Sequence, residues 1–67
     1  MKFGENFKRI RLQCNLSQKD VAKKLKLNQS NVSNWEKDKS RPEYENLIEL
    51  SRLYNVSLYE LLGIDEY

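Results

Sequence analysis

Gln29, Ser30, Ser33 and Asn34 lie within six residues of one another, and their side chains carry amides and short hydroxyls rather than charges. Groups of this kind break no bonds on their own; they match patterns of donors and acceptors. An amide presents one of each side by side, which is what bidentate pairing with the adenine edge in a duplex major groove requires. At 100° per residue, Ser30, Ser33, Asn34 and Lys37 share the helix face opposite Val32, with Gln29 at the leading end. Any solvated helix also shows a polar face, so these residues gain weight only from their surroundings.

Catalytic chemistry finds little material. The chain has no His, so the commonest general base near neutral pH and the commonest zinc ligand are missing. Its one cysteine, Cys14, excludes an intrachain disulfide framework and a multi-Cys metal site, and fits a reducing compartment. There is no nucleophile–base set, glycine-rich phosphate loop or metal-ligand spacing, so no catalytic residue, metal, cofactor or small-molecule ligand is implied. No apolar run approaches the roughly 18 residues of a membrane span. Residues 1–5 lack the apolar stretch of a secretory signal. A soluble, cytoplasmic protein is expected.

Charge points the same way. The net charge of +2 hides eleven Lys or Arg against four Asp or Glu in residues 1–42, and one Arg against six acidic residues in 43–67. A cationic half in so small a domain is the footprint of a polyanion binder, although Lys and Arg also simply solubilise helices.

Holding the polar face outward requires short helices, and the spacing supplies them. Phe3, Phe7, Ile10 and Cys14 form one stripe, predicting a helix over 5–14 that Asn15-Leu16 breaks. Ser17, with Asp20 reciprocating, caps a second helix over 18–25, whose inner stripe is Val21, Ala22 and Leu25. After the turn at Lys26-Leu27-Asn28, Asn28 can cap a third helix from 29 to about 37, with Val32 and Trp35 inward. The polar loop that follows ends at Pro42, which resists helix. Leu47, Ile48, Leu50, Ser51 and Tyr54 mark a fourth helix over 44–54. Ser57 and Glu60 match a capping box opening a fifth helix that runs to Leu62 and stops at Gly63. The expectation is one all-α domain over residues 1–67 with a helix-turn-helix at about 18–37, Ala22 being small enough for the two helices to cross closely.

Residues 5–62 resemble the phage-repressor/Cro-type helix-turn-helix family (the XRE family) of bacterial and phage regulators. The match is carried by Leu16-Ser17-Gln18, Val21-Ala22, Leu25, Val32-Ser33, Trp35-Glu36, Arg41-Pro42, Leu47 and Asn55-Val56-Ser57, ending with Glu60-Leu61-Leu62. The resemblance implies a compact five-helix, lambda-repressor-like DNA-binding domain, cytoplasmic and nucleoid-associated. In that family the third helix docks into the major groove, usually as a homodimer on a palindromic operator. Two positions depart from the pattern: Lys26 and Asp38 stand where Gly is common. Both put local geometry in question rather than the fold.

Roles follow position by position. Gln29, Ser30 and Asn34 match the base-reading positions, with Ser33 as a further candidate. Gln18, opening the second helix, suits a phosphate contact, and the resemblance adds a brace for Gln29. Asn28, Asn31, Lys37, Lys39, Ser40 and Arg41 are expected on the DNA backbone, where contacts add affinity without choosing sequence. Arg11 and Glu36 match a pair that often forms an internal salt bridge. Leu58, Tyr59, Leu62, Ile64 and Tyr67 supply apolar material for a dimer contact, although Leu58 and Leu62 equally suit the monomer core. The expected function is a sequence-specific double-stranded DNA-binding regulator, a repressor, with half-sites leaning to A·T. The alternative, a protein-interaction or antitoxin-like module of the same fold, would not read DNA.

Overall fold

The computed structural model describes residues 2–64, so Tyr67 lies outside the described residues. It contains α1 (Gly4–Gln13), α2 (Gln18–Leu25), α3 (Gln29–Glu36), α4 (Tyr44–Tyr54) and α5 (Leu58–Leu62). The expected boundaries hold to within a residue at each end, and no strand forms among the described residues.

One device ends all five helices. Asn15, Lys26, Asp38, Asn55 and Gly63 each take a left-handed conformation, with φ between 56° and 70°. The residue after each then donates its N–H to the carbonyl five positions back: Leu16 to Arg11, Leu27 to Ala22, Lys39 to Asn34, Val56 to Ser51 and Ile64 to Tyr59. This is the Schellman closure, which satisfies carbonyls that the helix leaves open and turns the chain sharply. Its usual companion is an apolar residue just past the turn. Leu16, Leu27 and Val56 fill that role, folding back onto the core. Lys39, after α3, and Ile64, after α5, do not; both are exposed.

Helix starts are more uneven. Ser17 caps α2 in full: Ser17 Oγ accepts from Asp20 N–H at 3.0 Å, and Asp20 Oδ2 accepts from Ser17 N–H at 2.9 Å. Those bonds hold the Asp20 carboxyl below its ordinary range, the Ser17 backbone N–H contributing most. At α5 only the forward half of the expected capping box forms, from Glu60 N–H to Ser57 Oγ at 3.0 Å. Asn28 occupies the cap position of α3 but makes no side-chain cap bond, which corrects the expectation that it closes that helix.

The inward stripes meet in one core of Phe7, Ile10, Val21, Ala22, Val32, Trp35, Leu50, Tyr54 and Leu61. Val21 and Leu61 are fully buried. The apolar face of α3 is narrow, just Val32 and Trp35. Two apolar side chains therefore anchor the helix while the rest of its circumference stays available. Ile48, expected on the stripe of α4, is 42% exposed instead. No helix among the described residues is long and apolar enough to cross a membrane.

Candidate nucleic-acid interface

Gln29 and Ser30 are exposed at the start of α3, and Asn31, Ser33 and Asn34 are partly exposed along it. Asn28, Lys37, Lys39, Ser40 and Arg41 are exposed in the flanking turns. The structure thus gathers the expected base-reading and backbone residues on α3 and the segments at its two ends. Gln18 reaches them from the start of α2. The backbone of Asn34 also ties the following loop, its carbonyl accepting from Lys39 N–H at 2.9 Å and Ser40 N–H at 3.4 Å.

Behind this face runs a string of polar contacts that begins in the core. Arg11 is only 6% exposed. Its guanidinium grips Glu36 through Nε to Oε2 at 2.6 Å and Nη2 to Oε1 at 3.0 Å, while Nη1 donates to the Leu16 carbonyl at 2.8 Å. The Glu36 bonds hold Arg11 charged against the opposing effect of burial. Glu36 Oε1 also accepts from Gln18 Nε2 at 3.0 Å, and Gln18 Oε1 accepts in turn from Gln29 Nε2 at 3.5 Å. The last bond is at the outer limit of hydrogen-bond length. The string crosses α1, α3 and α2 and ends at the first residue of α3.

Its chemical consequence lies in what Gln29 has left. An amide nitrogen carries two hydrogens, and one is committed to Gln18. The second N–H and the carbonyl oxygen remain for a ligand, the pair that adenine N7 and N6 would occupy. A side chain held in place before binding gives up less rotamer freedom on contact.

Sequence reasoning missed two residues that shape the interface from outside it. Asp38, just past α3, accepts from the N–H groups of Phe3 and Gly4 at 2.9 and 3.0 Å. These bonds, Phe3 foremost, hold its carboxyl below the ordinary range, with Lys2 and Arg41 adding to the effect. Gly4 lets the start of α1 press on the end of α3: a Cβ there would collide with the Glu36 carbonyl and lie 2.9 Å from Asp38 Oδ2. A contact across 34 residues leaves no local signature. The one hint was an aspartate, which tolerates a left-handed turn, standing where glycine is easier.

Five short helices, with a capped α2 and an outward-facing α3 joined by a tight turn, define a helix-turn-helix domain of the kind that regulators of transcription carry. The chain belongs to the helix-turn-helix family, whose model matches residues 7–61. It is 42% identical to the HTH-type transcriptional regulator ImmR of Bacillus subtilis, over 98% of this chain and 52% of that protein. To the HTH-type transcriptional activator BcrR of Enterococcus faecalis it is 33% identical, over 98% of this chain and 32% of the relative. The chain therefore spans about half, or less, of the length of these curated relatives. Its fold superposes on the phage P22 c2 repressor, solved with a synthetic operator, at a TM-score of 0.86 and 28% identity, covering 97% of this chain and 98% of that one.

Proposed function

We propose that this chain is a sequence-specific double-stranded DNA-binding domain of a transcriptional regulator, acting as a repressor by occluding a promoter. In this reading α3 enters the major groove, where Gln29, Ser30, Ser33 and Asn34 meet base edges. Gln18, Asn28, Asn31, Lys37, Lys39, Ser40 and Arg41 meet phosphates on either side. The observation that carries the reading is the string from Arg11 through Glu36 and Gln18, which ends on the exposed Gln29 amide at the tip of α3. Monomer stability gives no reason to brace an exposed glutamine.

Two copies bind a palindromic site, one α3 in each half. The outer side of α5 is the proposed contact between them: Leu58, Tyr59 and Ile64 are 43%, 50% and 38% exposed and lie beside half-buried Leu62. Leu61, buried on the inner side, closes the monomer core in their place.

Salt dependence tests the DNA reading against that of a protein-interaction module. With about 6–10 phosphate contacts per dimer, affinity should drop by several orders of magnitude between roughly 50 and 200 mM salt. Replacing Gln29 and Asn34 by Ala should abolish sequence preference while sparing the salt-sensitive non-specific binding. A preference that survives both substitutions places base reading elsewhere, and affinity that ignores salt favours the interaction module.

A further inference from the structure

Asp38 stands in the left-handed region, at φ 59°, where glycine would sit without strain. The aspartate brings a carboxylate that glycine lacks, and Oδ1 uses it to close the start of α1 by accepting from both Phe3 and Gly4 N–H. Phe3 itself, at the cap position of α1, has no side-chain cap bond. With its backbone held there, the Phe3 ring packs at a tilt on core residue Phe7, their centroids 6.5 Å apart. The Arg41 guanidinium lies over the same ring, its Cζ 5.3 Å from the centroid, within range of a cation–π contact. Just beyond Arg41, Pro42 is buried. The loop over 37–41 is thus tied at Asp38, at Arg41 and at the proline that follows.

We propose that Phe3 and Asp38 are positioning residues for DNA binding: together with Gly4 they form a clasp that holds the 37–41 loop and orients Arg41 before it meets a phosphate. The proposal rests on the DNA-binding reading and deepens it, since neither Phe3 nor Asp38 touches DNA in this account. An arginine that must be ordered on contact loses rotamer freedom, and one already held over an aromatic ring loses less. Opening the clasp is therefore worth about three- to tenfold in affinity.

Three variants and one background test this. Asp38→Gly removes both hydrogen bonds but also relieves the left-handed strain, so the fold survives while the clasp opens. Asp38→Asn keeps an Oδ1 acceptor and tolerates the left-handed turn, so it should restore wild-type behaviour. Phe3→Leu keeps apolar contact with Phe7 and removes the ring. Mobility of the Arg41 Nε–H is read by NMR relaxation in the free protein. Affinity for duplex DNA is read in the wild-type and Arg41→Ala backgrounds.

Asp38→Gly and Phe3→Leu should raise Arg41 mobility and weaken binding three- to tenfold, with no further loss once Arg41 is alanine. Unchanged mobility overturns the proposal. So does an equal affinity loss in both backgrounds, which would place the effect in the fold. If the wild-type protein fails to bind duplex DNA, the DNA reading falls, and the free-protein mobility decides the clasp alone.

Discussion

Replacing Glu36 by leucine should cost this domain a large share of its stability, whereas replacing its partner as well should return most of that loss. The side chains of Arg11 and Glu36 are only 8% and 4% exposed, and Nε and Oε2 lie 2.6 Å apart. Glu36→Leu leaves the guanidinium buried with the Leu16 carbonyl as its remaining acceptor. Breaking such a pair from one side typically costs about 3–5 kcal/mol. A chain of this length is stable by roughly 3–10 kcal/mol, at about 0.05–0.15 kcal/mol per residue. At about 4–8 °C per kcal/mol, the melting temperature should fall by at least about 12 °C. The double variant Arg11→Met, Glu36→Leu exchanges the pair for apolar groups of similar volume, a change often neutral in stability. It should nevertheless bind DNA less selectively, because Gln18 has lost the carboxylate that orients it and Gln29 is no longer braced. Thermal melting by circular dichroism and operator competition assays measure the two effects separately. A single variant that melts within about 4 °C of wild type, a shift of about 1 kcal/mol or less, would refute the burial argument. A double variant with full selectivity would refute the bracing argument.

Other consequences follow from individual side chains. Lys26 sits at φ 59°, so Lys26→Gly should raise the melting temperature by a few degrees; the relieved strain of about 1–2 kcal/mol exceeds the added flexibility of the unfolded chain. Gly4→Ala places a methyl group against the Glu36 carbonyl, and overpacking against backbone should cost about 1–3 kcal/mol in chemical denaturation. The Tyr54 phenol is pushed well above its ordinary value of 10.0, chiefly by burial, with the Glu36 charge adding. The folded state thus holds that proton more tightly than the unfolded chain, and the stability this contributes is full below pH 10 and lost as pH rises through the folded value. Tyr54→Phe should move the alkaline unfolding midpoint upward, and tyrosinate absorbance in the wild type should show one phenol ionising only as the fold is lost.

The helices were legible because their signals are local. Ser17 with Asp20, the 3–4 spacing of Val21, Ala22 and Leu25, and Gly63 all act within a turn or two of the chain. The outward face of α3 was legible for the same reason, since placing Val32 and Trp35 inside leaves Gln29 and Ser30 outside. The ion pair and the Gln18 brace were less so: 25 residues separate Arg11 from Glu36, and resemblance rather than spacing suggested the match. Asp38 shows where local reading fails. Standing where glycine is common, it puts local geometry in question, yet its carboxylate reaches residues 3 and 4 and ties the loop down. Asn28 fails in the opposite sense, being a good cap residue at the cap position whose side chain makes no cap bond. Ile48 and Leu58 matched an apolar pattern but lie on helix flanks that the small core does not cover.

In the proposed function α3 reads base identity through amides. Selection of bound duplexes from a random DNA pool tests this, with the wild-type protein and the Gln29→Ala, Asn34→Ala variant run in parallel. The wild type should return inverted half-sites enriched in A·T pairs at the read positions, and the variant should lose that enrichment. G-rich half-sites, or the same enrichment from both proteins, would rule out amide reading by α3.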